Sequence, residues 1–475
     1  MLGFLKRRFS GGQADKTRAL DAASHRGPLR HAGGINNLNT DIAAGTPTIR
    51  ARAAYLARNS PHIAAAVNAL VSNLVGSGIR PVSQHPDTAT RELLHDLWAR
   101  FVDEADHDGQ IDHYGQQAVM ARQMVEAGES FGVFHDAMLG EGRTVPFTIQ
   151  VLHPTHCPLD TVPLETATGR VVRCGIEFDR QGRRTGFYFW PERPDDPFAF
   201  LNRGSWQPVR VPADDVMHLM LPVEPGQLRG LSWLNGAVGP VTQLDAFQAA
   251  ALRRAQLSNM LVGAVVDPSG QGLNLFSEQE DNAVKLEPGT FLNLKGQMVE
   301  FFDPKESQHY GEFVKSHLKS LAAALGVPYE ILSHDAGDAN FSSSRVQLAE
   351  FQKRLEYYQY GVIVFRVCKP VWNRFVRRAV LAGHIPLSAY TADPTAFHRV
   401  EWLPPKLPWV DPEADAAAEA LMVEKKFKSR SMVIAGLGYN PEQVDREIAA
   451  DAQRLRELGV ETAPAPVPPP AETAP

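Results

Sequence analysis

Leu332-Ser-His-Asp-Ala-Gly-Asp-Ala-Asn-Phe-Ser-Ser-Ser-Arg345 interrupts two strongly periodic segments with small and polar residues and a single aromatic, Phe341. Upstream, YGEFVKSHLKSLAAALG (310–326) places Val314, Leu318, Leu321 and Leu325 on one helical face and Lys315 and Lys319 on another, until Gly326-Val-Pro328 stops it. Downstream, Leu348, Phe351, Leu355, Tyr358, Val362 and Phe365 alternate by three and four, with Ser344 and Gln347 as a capping box and Pro370 as a kink. Three readings of the interruption compete: a serine nucleophile, a phosphate-cradling loop, or a loop that faces something without gripping it.

Composition bounds the choice. The chain has 475 residues, 44% of them hydrophobic, enough for two or three domains with real cores. Its formal net charge of -6 excludes a free-standing nucleic-acid binder, which needs a basic surface to release counterions from phosphates. Cys157, Cys174 and Cys368 lack CxxC spacing, which points to a reducing compartment. The start, MLGFLKRRFSGG, has its charges after the apolar run, the reverse of a signal peptide, and no stretch is long enough to span a bilayer. Residues 1–30 hold Lys6, Arg7, Arg8, Lys16, Arg18, Arg26 and Arg30 against Asp15 and Asp21, and with the Gly/Asn-rich stretch that follows they read as a mobile basic arm over 1–45. The far end, 461–475, is a disordered Pro/Ala tail.

Between these ends the periods change. Ser60 reads as an N-cap with Pro61 in the first helical position, and Ile63, Val67, Leu70 and Leu74 form an apolar stripe. Two more amphipathic helices, RELLHDLWARFVDE and YGQQAVMARQMVEAG, complete a helical opening. From Phe131 the period becomes two, in FGVFHDAM, VPFTIQVL, VVRCGIEF, GFYFW and DVMHLML, with DRQGRR as a hairpin turn. A helix follows, PVTQLDAFQAAALRRAQLSNM, with Leu244, Phe247, Ala251 and Ala255 on one side and Arg253 and Arg254 off it. A small α/β insert then runs through GAVV, a Ser277/Glu280 capping box and the hairpin FLNLKGQMVEFF. The fold class is α+β.

The chemical motifs are weak. Gly128-Glu-Ser-Phe-Gly132 matches G-x-S-x-G, but a nucleophile elbow needs a strand before the serine and a helix after it, and here the order is reversed. DEADHDGQIDHYG nears EF-hand register, yet Gly115 stands where the bidentate Glu belongs, so it reads as a solvated acidic turn. His153-Pro-Thr-His-Cys157 has metal-ligand residue types without a second cluster, and reads as a structural turn. Gly270 and Gly272 begin a GxGxxG that ends in Leu275, and no Gly-Lys dipeptide is present for a phosphate loop. No catalytic residue, metal site or cofactor is expected. The nucleophile and phosphate readings of the opening loop therefore fail.

In order and wording, the chain resembles the lambda-type family of tailed-phage portal proteins. The residues that carry the resemblance are RGLSWLNGAV (229–238), LEPGTFLNLKGQMVEFFDP (286–304) and above all LAAALGVPYEILSHDAGDANFSSSRVQLAEFQK (321–353). It covers about residues 45–385. It implies a portal-type fold: a helical and β-rich wing (46–230), a first stem helix (231–260), a small α/β clip (261–305), a second stem helix (306–331) and a tunnel loop (332–345). A long kinked helix returning to the wing (346–400) and a C-terminal helical region (401–460), read as a crown, complete it. The resemblance also implies a ring, usually dodecameric, at one capsid vertex of the virion, built in the host cytoplasm, through which double-stranded DNA enters and leaves. The implied partners are further copies of the chain, the large terminase, the major capsid or scaffold protein and head-completion or adaptor proteins, with no membrane.

Rotational symmetry would turn each loop residue into a ring of like groups. His334, Asp335, Asp338, Asn340, Phe341 and Arg345 are the candidate tunnel-loop residues, and Arg253, Arg254, Lys315 and Lys319 the candidate channel charges of the stem. Twelve chains would carry roughly -70 in total, a field that keeps a polyanion from sticking. Weak, non-specific contact suits DNA that must slide, since each neutralised phosphate strengthens the hold. For the four cations the alternative is solvated or intersubunit charge; for Phe341 it is a plug; for His334 it is a hydrogen-bonded loop residue. Two rival functions stand beside the portal: a serine hydrolase using Ser130, and a head–tail adaptor ring that never meets terminase.

Overall fold

The computed structural model describes residues 37–138, 142–160, 164–165, 169–198, 207–260, 264–266, 298–300, 310–335, 337, 341–406 and 412–460. Helices dominate and the sheets are small. The first helix, α1 (Leu38–Asn59), starts inside the segment read as an arm. Asn37 Oδ1 caps it by accepting from Asn39 N–H, Ile42 and Ala43 are buried, and the Asn39 side chain bridges the Gly226 carbonyl and the Leu228 N–H. Polar composition concealed an apolar pair one helical turn past a good cap. Residues 1–36 of that arm lie outside the described residues, as does the 461–475 tail.

Helix α2 (Pro61–Leu74) begins with Pro61 at its first position, and its predicted stripe is buried. Ser60 does not cap it through its side chain, because its N–H closes α1 onto the Leu56 carbonyl and its Oγ sits buried without a partner. Strand β1 (Arg80–Ser83), α3 (Thr88–Glu104) and α4 (His113–Ala127) follow, the two helices capped by the Asp87 and Asp112 carboxylates. Trp98 and Phe101 of α3 meet Trp372 and Phe375 at ring-centroid distances of 5.1–5.6 Å, which brings a helix from late in the chain into the core of the first third.

Strands β2 (Glu129–Asp136) and β3 (Phe147–Leu152) belong to a three-stranded antiparallel sheet whose other edge, β9 (Val216–Met220), arrives after an excursion. That excursion is a five-stranded meander of β4 (Leu164–Glu165), β5 (Val171–Arg173), β6 (Ile176–Phe178), β7 (Arg184–Phe189) and β8 (Val209–Pro212). VVRCGIEF, expected as one strand, is a hairpin. Cys174 (φ 50°) and Gly175 (φ 75°) both take left-handed backbone, as a two-residue turn of the mirror-image type requires. A cysteine ahead of the glycine hid the signal that Asn-Gly would have given. DRQGRR is a turn as expected, closed by the Asp179 carboxylate accepting from the N–H groups of Gln181 and Arg183.

Helix α5 (Val238–Met260) buries Val241 and Leu244, but Leu252 is exposed along with every residue from Arg253 to Gln256. Strands β10 (Ala264–Val266) and β11 (Met298–Glu300) pair antiparallel; the Ser277/Glu280 capping box and the first arm of the expected hairpin lie outside the described residues. Helix α6 (Tyr310–Leu325) returns beside α5, with Phe247 stacked on Tyr310 at 5.6 Å and touching Phe313 at 4.2 Å. The turn to α7 (Tyr329–Ser333) is fixed by Gly326 at φ 69°: Val327 N–H reaches the Ala322 carbonyl and Gly326 N–H the Ala323 carbonyl, closing the helix end.

Helix α8 (Phe341–Tyr358) runs without a break into a π-helical segment, Gln359–Cys368, and then α9 (Lys369–Leu381), with Pro370 in the first turn. Two expectations fail here. Ser344 lies inside the first turn of α8, so it does not open a capping box. Phe365 is 62% exposed, because π turns hold more residues than the three-and-four spacing assumes and rotate Ile363, Val364 and Val367 inward instead. Gln359 anchors the transition by donating to the Asn73, Leu74 and Pro405 carbonyls, two of which are open at the end of α2. The short α10 (Leu387–Ala392) and α11 (Pro394–His398) lead to β12 (Val400–Leu403), which pairs with β1. Helices α12 (Pro412–Glu424), α13 (Arg430–Gly436) and α14 (Pro441–Glu457) follow, and of their residues only Ile434 is buried.

Candidate functional site

The opening stretch is now a shorter loop than its composition suggested. Leu332 and Ser333 end α7 and Phe341 to Arg345 begin α8, which leaves 334–340 between two helices. His334 holds left-handed backbone (φ 53°) and its N–H closes α7 on the Glu330 carbonyl at 2.9 Å. Asp335 N–H reaches Ser333 Oγ at 3.2 Å, and Asp335 Oδ1 accepts from Gly337 N–H at 2.9 Å. These bonds span two to four residues, so His334 and Asp335 are held by their own segment while both side chains stay exposed. Asp338 and Asn340 lie outside the described residues, and so does the Phe341 side chain.

Lys315 and Lys319 share an open groove of about 730 Å³ with Asp335, Glu330, Glu350 and Arg354. The Lys319 ammonium stands 5.8 Å from the Tyr329 ring centroid, and Arg354 donates to the Gly326 carbonyl at 2.9 Å. The structure thus joins the two lysines to one loop acid and adds three charged residues that periodicity alone did not single out. Arg253 and Arg254 are exposed on the outer half of α5. Arg345 is engaged elsewhere, paired with Asp415 of α12 at 2.8 Å.

The G-x-S-x-G match proves structural. Ser130 is fully buried, and its Oγ donates to Gln123 Oε1 at 3.1 Å, an amide that cannot act as its base. Its neighbour Glu129 is the centre of a buried node: Arg50 binds one carboxylate oxygen, Arg229 Nε reaches the same oxygen at 2.8 Å, and His218 Nε2 and Gly230 N–H meet the other at 2.8 Å each. Burial alone would raise the Glu129 carboxyl, but the Arg229 charge, the His218 hydrogen bond and Arg50 outweigh it and hold it well below the usual carboxylate range. Arg229, 0% exposed, also donates to the carbonyls of Pro154, Cys157, Pro158 and Cys174, which pins the meander and its tight turn.

The glycines beside these charges explain the wording of RGLSW. A Cβ on Gly230 would stand 2.1 Å from the Gly128 carbonyl oxygen, and one on Gly128 (φ 91°) would stand 2.5 Å from the backbone of Leu231. Two backbones cross where only glycine fits. A paired glycine-and-charge signature, Gly-Glu at 128–129 and Arg-Gly at 229–230, was the available clue.

The remaining motifs resolve similarly. Asp106 accepts from Gln110 N–H, Ile111 N–H and the Gln116 side chain, and so is occupied by its own turn. His153 bonds Thr155, His156 bonds the Trp190 carbonyl, and burial pushes the Cys157 thiol up to about 12. Among the described residues no group of three or more His, Cys, Asp or Glu side chains could hold a metal ion, and no helix is long and apolar enough to cross a membrane.

Residues 32–359 match the family described as "Phage portal protein, lambda family". The chain belongs to that family of phage portal proteins. The family is structural, not enzymatic, which removes the hydrolase reading along with the burial of Ser130. The chain is 26% identical over 310 residues to the "Probable portal protein" of Halomonas phage phiHAP-1, covering 62% of this chain and 57% of that one. It is 24% identical over 214 residues to "Portal protein B" of Escherichia phage lambda, 40% of each chain. With the "Portal protein" of Escherichia phage N15 it shares 22% identity over 323 residues, 61% of this chain and 60% of that one. The chain thus spans roughly half of the lengths of these curated portal relatives. Among solved structures, "Virion of native gene transfer agent (GTA) particle" aligns over 84% of this chain and 94% of that one, at TM-score 0.43 and 16% identity. "Neck of native GTA particle computed with C12 symmetry" aligns over 82% and 94%, again at TM-score 0.43 and 16% identity.

Proposed function

We propose that copies of this chain close into a ring, of twelve members, that serves as the portal at one vertex of a phage capsid and as the conduit for double-stranded DNA. The observation that carries this reading is the family match over residues 32–359, which contains α5, the α6–α7 turn, the loop and the whole of α8. In the ring, α5 and α6 are the stem, the intervening 261–305 segment the clip, and 334–340 with the start of α8 the tunnel loop. Local bonding suits this role: among the described residues, His334 N–H bonds Glu330 and Asp335 bonds Ser333 and Gly337, all within the same short segment. Arg253, Arg254, Lys315 and Lys319 lie on the bore-facing side of the stem, and the loop acids Asp335 and Asp338 keep the grip on phosphate weak. Terminase and head-completion proteins dock on the ring, in the virion and during assembly in the host cytoplasm.

Mass photometry of the purified full chain tests the ring. Particles of about twelve chains are expected, and a strictly monomeric protein under all assembly conditions overturns the reading. Retention of the large terminase on immobilised rings separates the portal from an adaptor ring, which would let it pass.

A further inference from the structure

The last three helices meet the body with ion pairs rather than a packed core. Of their described residues only Ile434 is buried, and none of those at 412–460 joins either hydrophobic core. Large apolar side chains stay in solvent instead: Phe427 is 80% exposed, Tyr439 62% and Met432 60%. Where α12 and α13 face α8 they leave an open cleft of about 810 Å³, with Leu348, Ala349 and Gln352 on one wall and Met432 and Val433 on the other. Apolar burial therefore contributes little to the hold on this unit.

Ion pairs cross to the body at two places. On α3, Arg91 and Glu92 stand side by side; on α14, Glu442 and Arg446 stand one turn apart on one face. Arg91 Nη2 and Nε reach the two oxygens of Glu442 at 3.0 and 3.3 Å, and Arg446 Nη1 reaches Glu92 Oε1 at 3.0 Å. Turning α14 end for end would set like charges against each other, so the crosswise match fixes one orientation. The α3 half is preset: Arg91 donates to the His85 and Pro86 carbonyls and to Thr88 Oγ1, which aims its guanidinium. The second place is α8, where Arg345 pairs with Asp415 of α12 at 2.8 Å. Glu92, Glu442, Arg446 and Arg345 are each about half exposed. Pairs of this kind weaken as salt shortens the screening length from about 10 Å at 0.1 M to about 3 Å at 1 M.

We propose that α12–α14 form a strap held by this charge clasp, docked on α3 and α8 at low ionic strength and detached from a still folded body at high ionic strength. Detachment releases Arg345 from Asp415 and uncovers the first turns of α8, directly after the 334–340 loop. A clasp made within one copy works whether or not copies close into a ring.

The test puts one spin label on each side of the clasp in the full chain, through Ala99→Cys on α3 and Ala449→Cys on α14, both exposed, while Cys157, Cys174 and Cys368 are buried. Labelled chain is diluted with unlabelled chain so that each distance is read within one copy. Double electron–electron resonance should give one narrow distance at about 0.05 M salt and mostly a broad, longer distribution at about 1 M. The strap contains no tryptophan, so near-ultraviolet circular dichroism of the tryptophans follows the body, and that signal should persist at both concentrations. Arg446→Glu, which sets two carboxylates together, should raise the detached fraction about fivefold at about 0.05 M salt, and adding Glu92→Arg should return it to the starting value. A distance that is the same at both salt concentrations overturns the proposal, as does a double variant that stays as detached as Arg446→Glu alone. Loss of the tryptophan signal together with the narrow distance means that the body unfolds, and also rejects it. If Arg446→Glu fails to fold, the salt series on the chain that keeps Arg446 still decides.

Discussion

Glu129 and Asp335 are both acids within reach of arginine or lysine, yet they do opposite work. Glu129 is 0% exposed and joins α1, β2, β9 and the 229–230 crossing through bonds that span up to 101 residues. Asp335 is exposed and, among the described residues, bonds Ser333 and Gly337 within its own turn. In the first case burial makes each charge depend on every other; in the second, water stands in for any partner that leaves. The same residue chemistry thus makes a long-range joint where it is buried and a local turn where it is exposed.

The contrast can be broken by substitution. The largest effect is expected for Glu129→Gln, which leaves Arg50 and Arg229 buried without their counter-charge; about 3–5 kcal/mol of stability should be lost in urea unfolding. Asp335→Asn should shift the same curve by well under that, within about 0.5 kcal/mol. A loss at Asp335 as large as at Glu129 would erase the distinction drawn between the two regions.

Gly230→Ala comes next. Its Cβ would meet the Gly128 carbonyl oxygen, a backbone atom that cannot swing aside, so the cost should be about 1–3 kcal/mol or more, read from Tm. An unchanged Tm would mean that the two backbones do not cross as described.

Acid should reach the frame before the loop. His113 and His218 are buried and held to about 4, well below an unfolded imidazole, so the unfolded chain takes up more protons than the folded one between about pH 6.5 and 4. Stability is therefore complete above that window and falls as pH drops through it. The depressed Glu129 carboxyl adds a loss below about pH 4.5, where its unfolded counterpart takes a proton. Tm measured in half-unit steps should decline across the window, and a flat profile would contradict the buried, neutral histidines.

The smallest effect belongs to Arg345→Ala. Its pair with Asp415 has a half-exposed guanidinium, and such pairs contribute less than about 1 kcal/mol. Limited proteolysis of the 412–460 helices would sharpen this, since the pair ties α8 to α12; faster cleavage with unchanged global Tm is expected.

Much of this arrangement could be read from residue order. The stripe of Ile63, Val67, Leu70 and Leu74, the stop at Gly326 and the turn at Asp179–Arg183 each follow from local rules, and each appears in the fold. What escaped depends on partners far along the chain or on an uncommon backbone. Arg229 and Glu129 are 100 residues apart, so neither announces the other. Phe365 fitted a three-and-four pattern until the π segment changed the pitch beneath it. Cys174 took a left-handed turn position usually given to Asn or Gly, held there by the Arg229 bond to its carbonyl. Of the loop residues, the sequence located the segment, while the structure showed Arg345 committed to α12 and Phe341 to the start of α8.

The most direct measurement is electron cryo-microscopy of the assembled full chain. The account predicts a closed ring with a bore wide enough for duplex DNA, and with residues 334–341 of every copy projecting toward the axis. A ring whose 334–341 segments point outward, or an assembly with no bore, would contradict it.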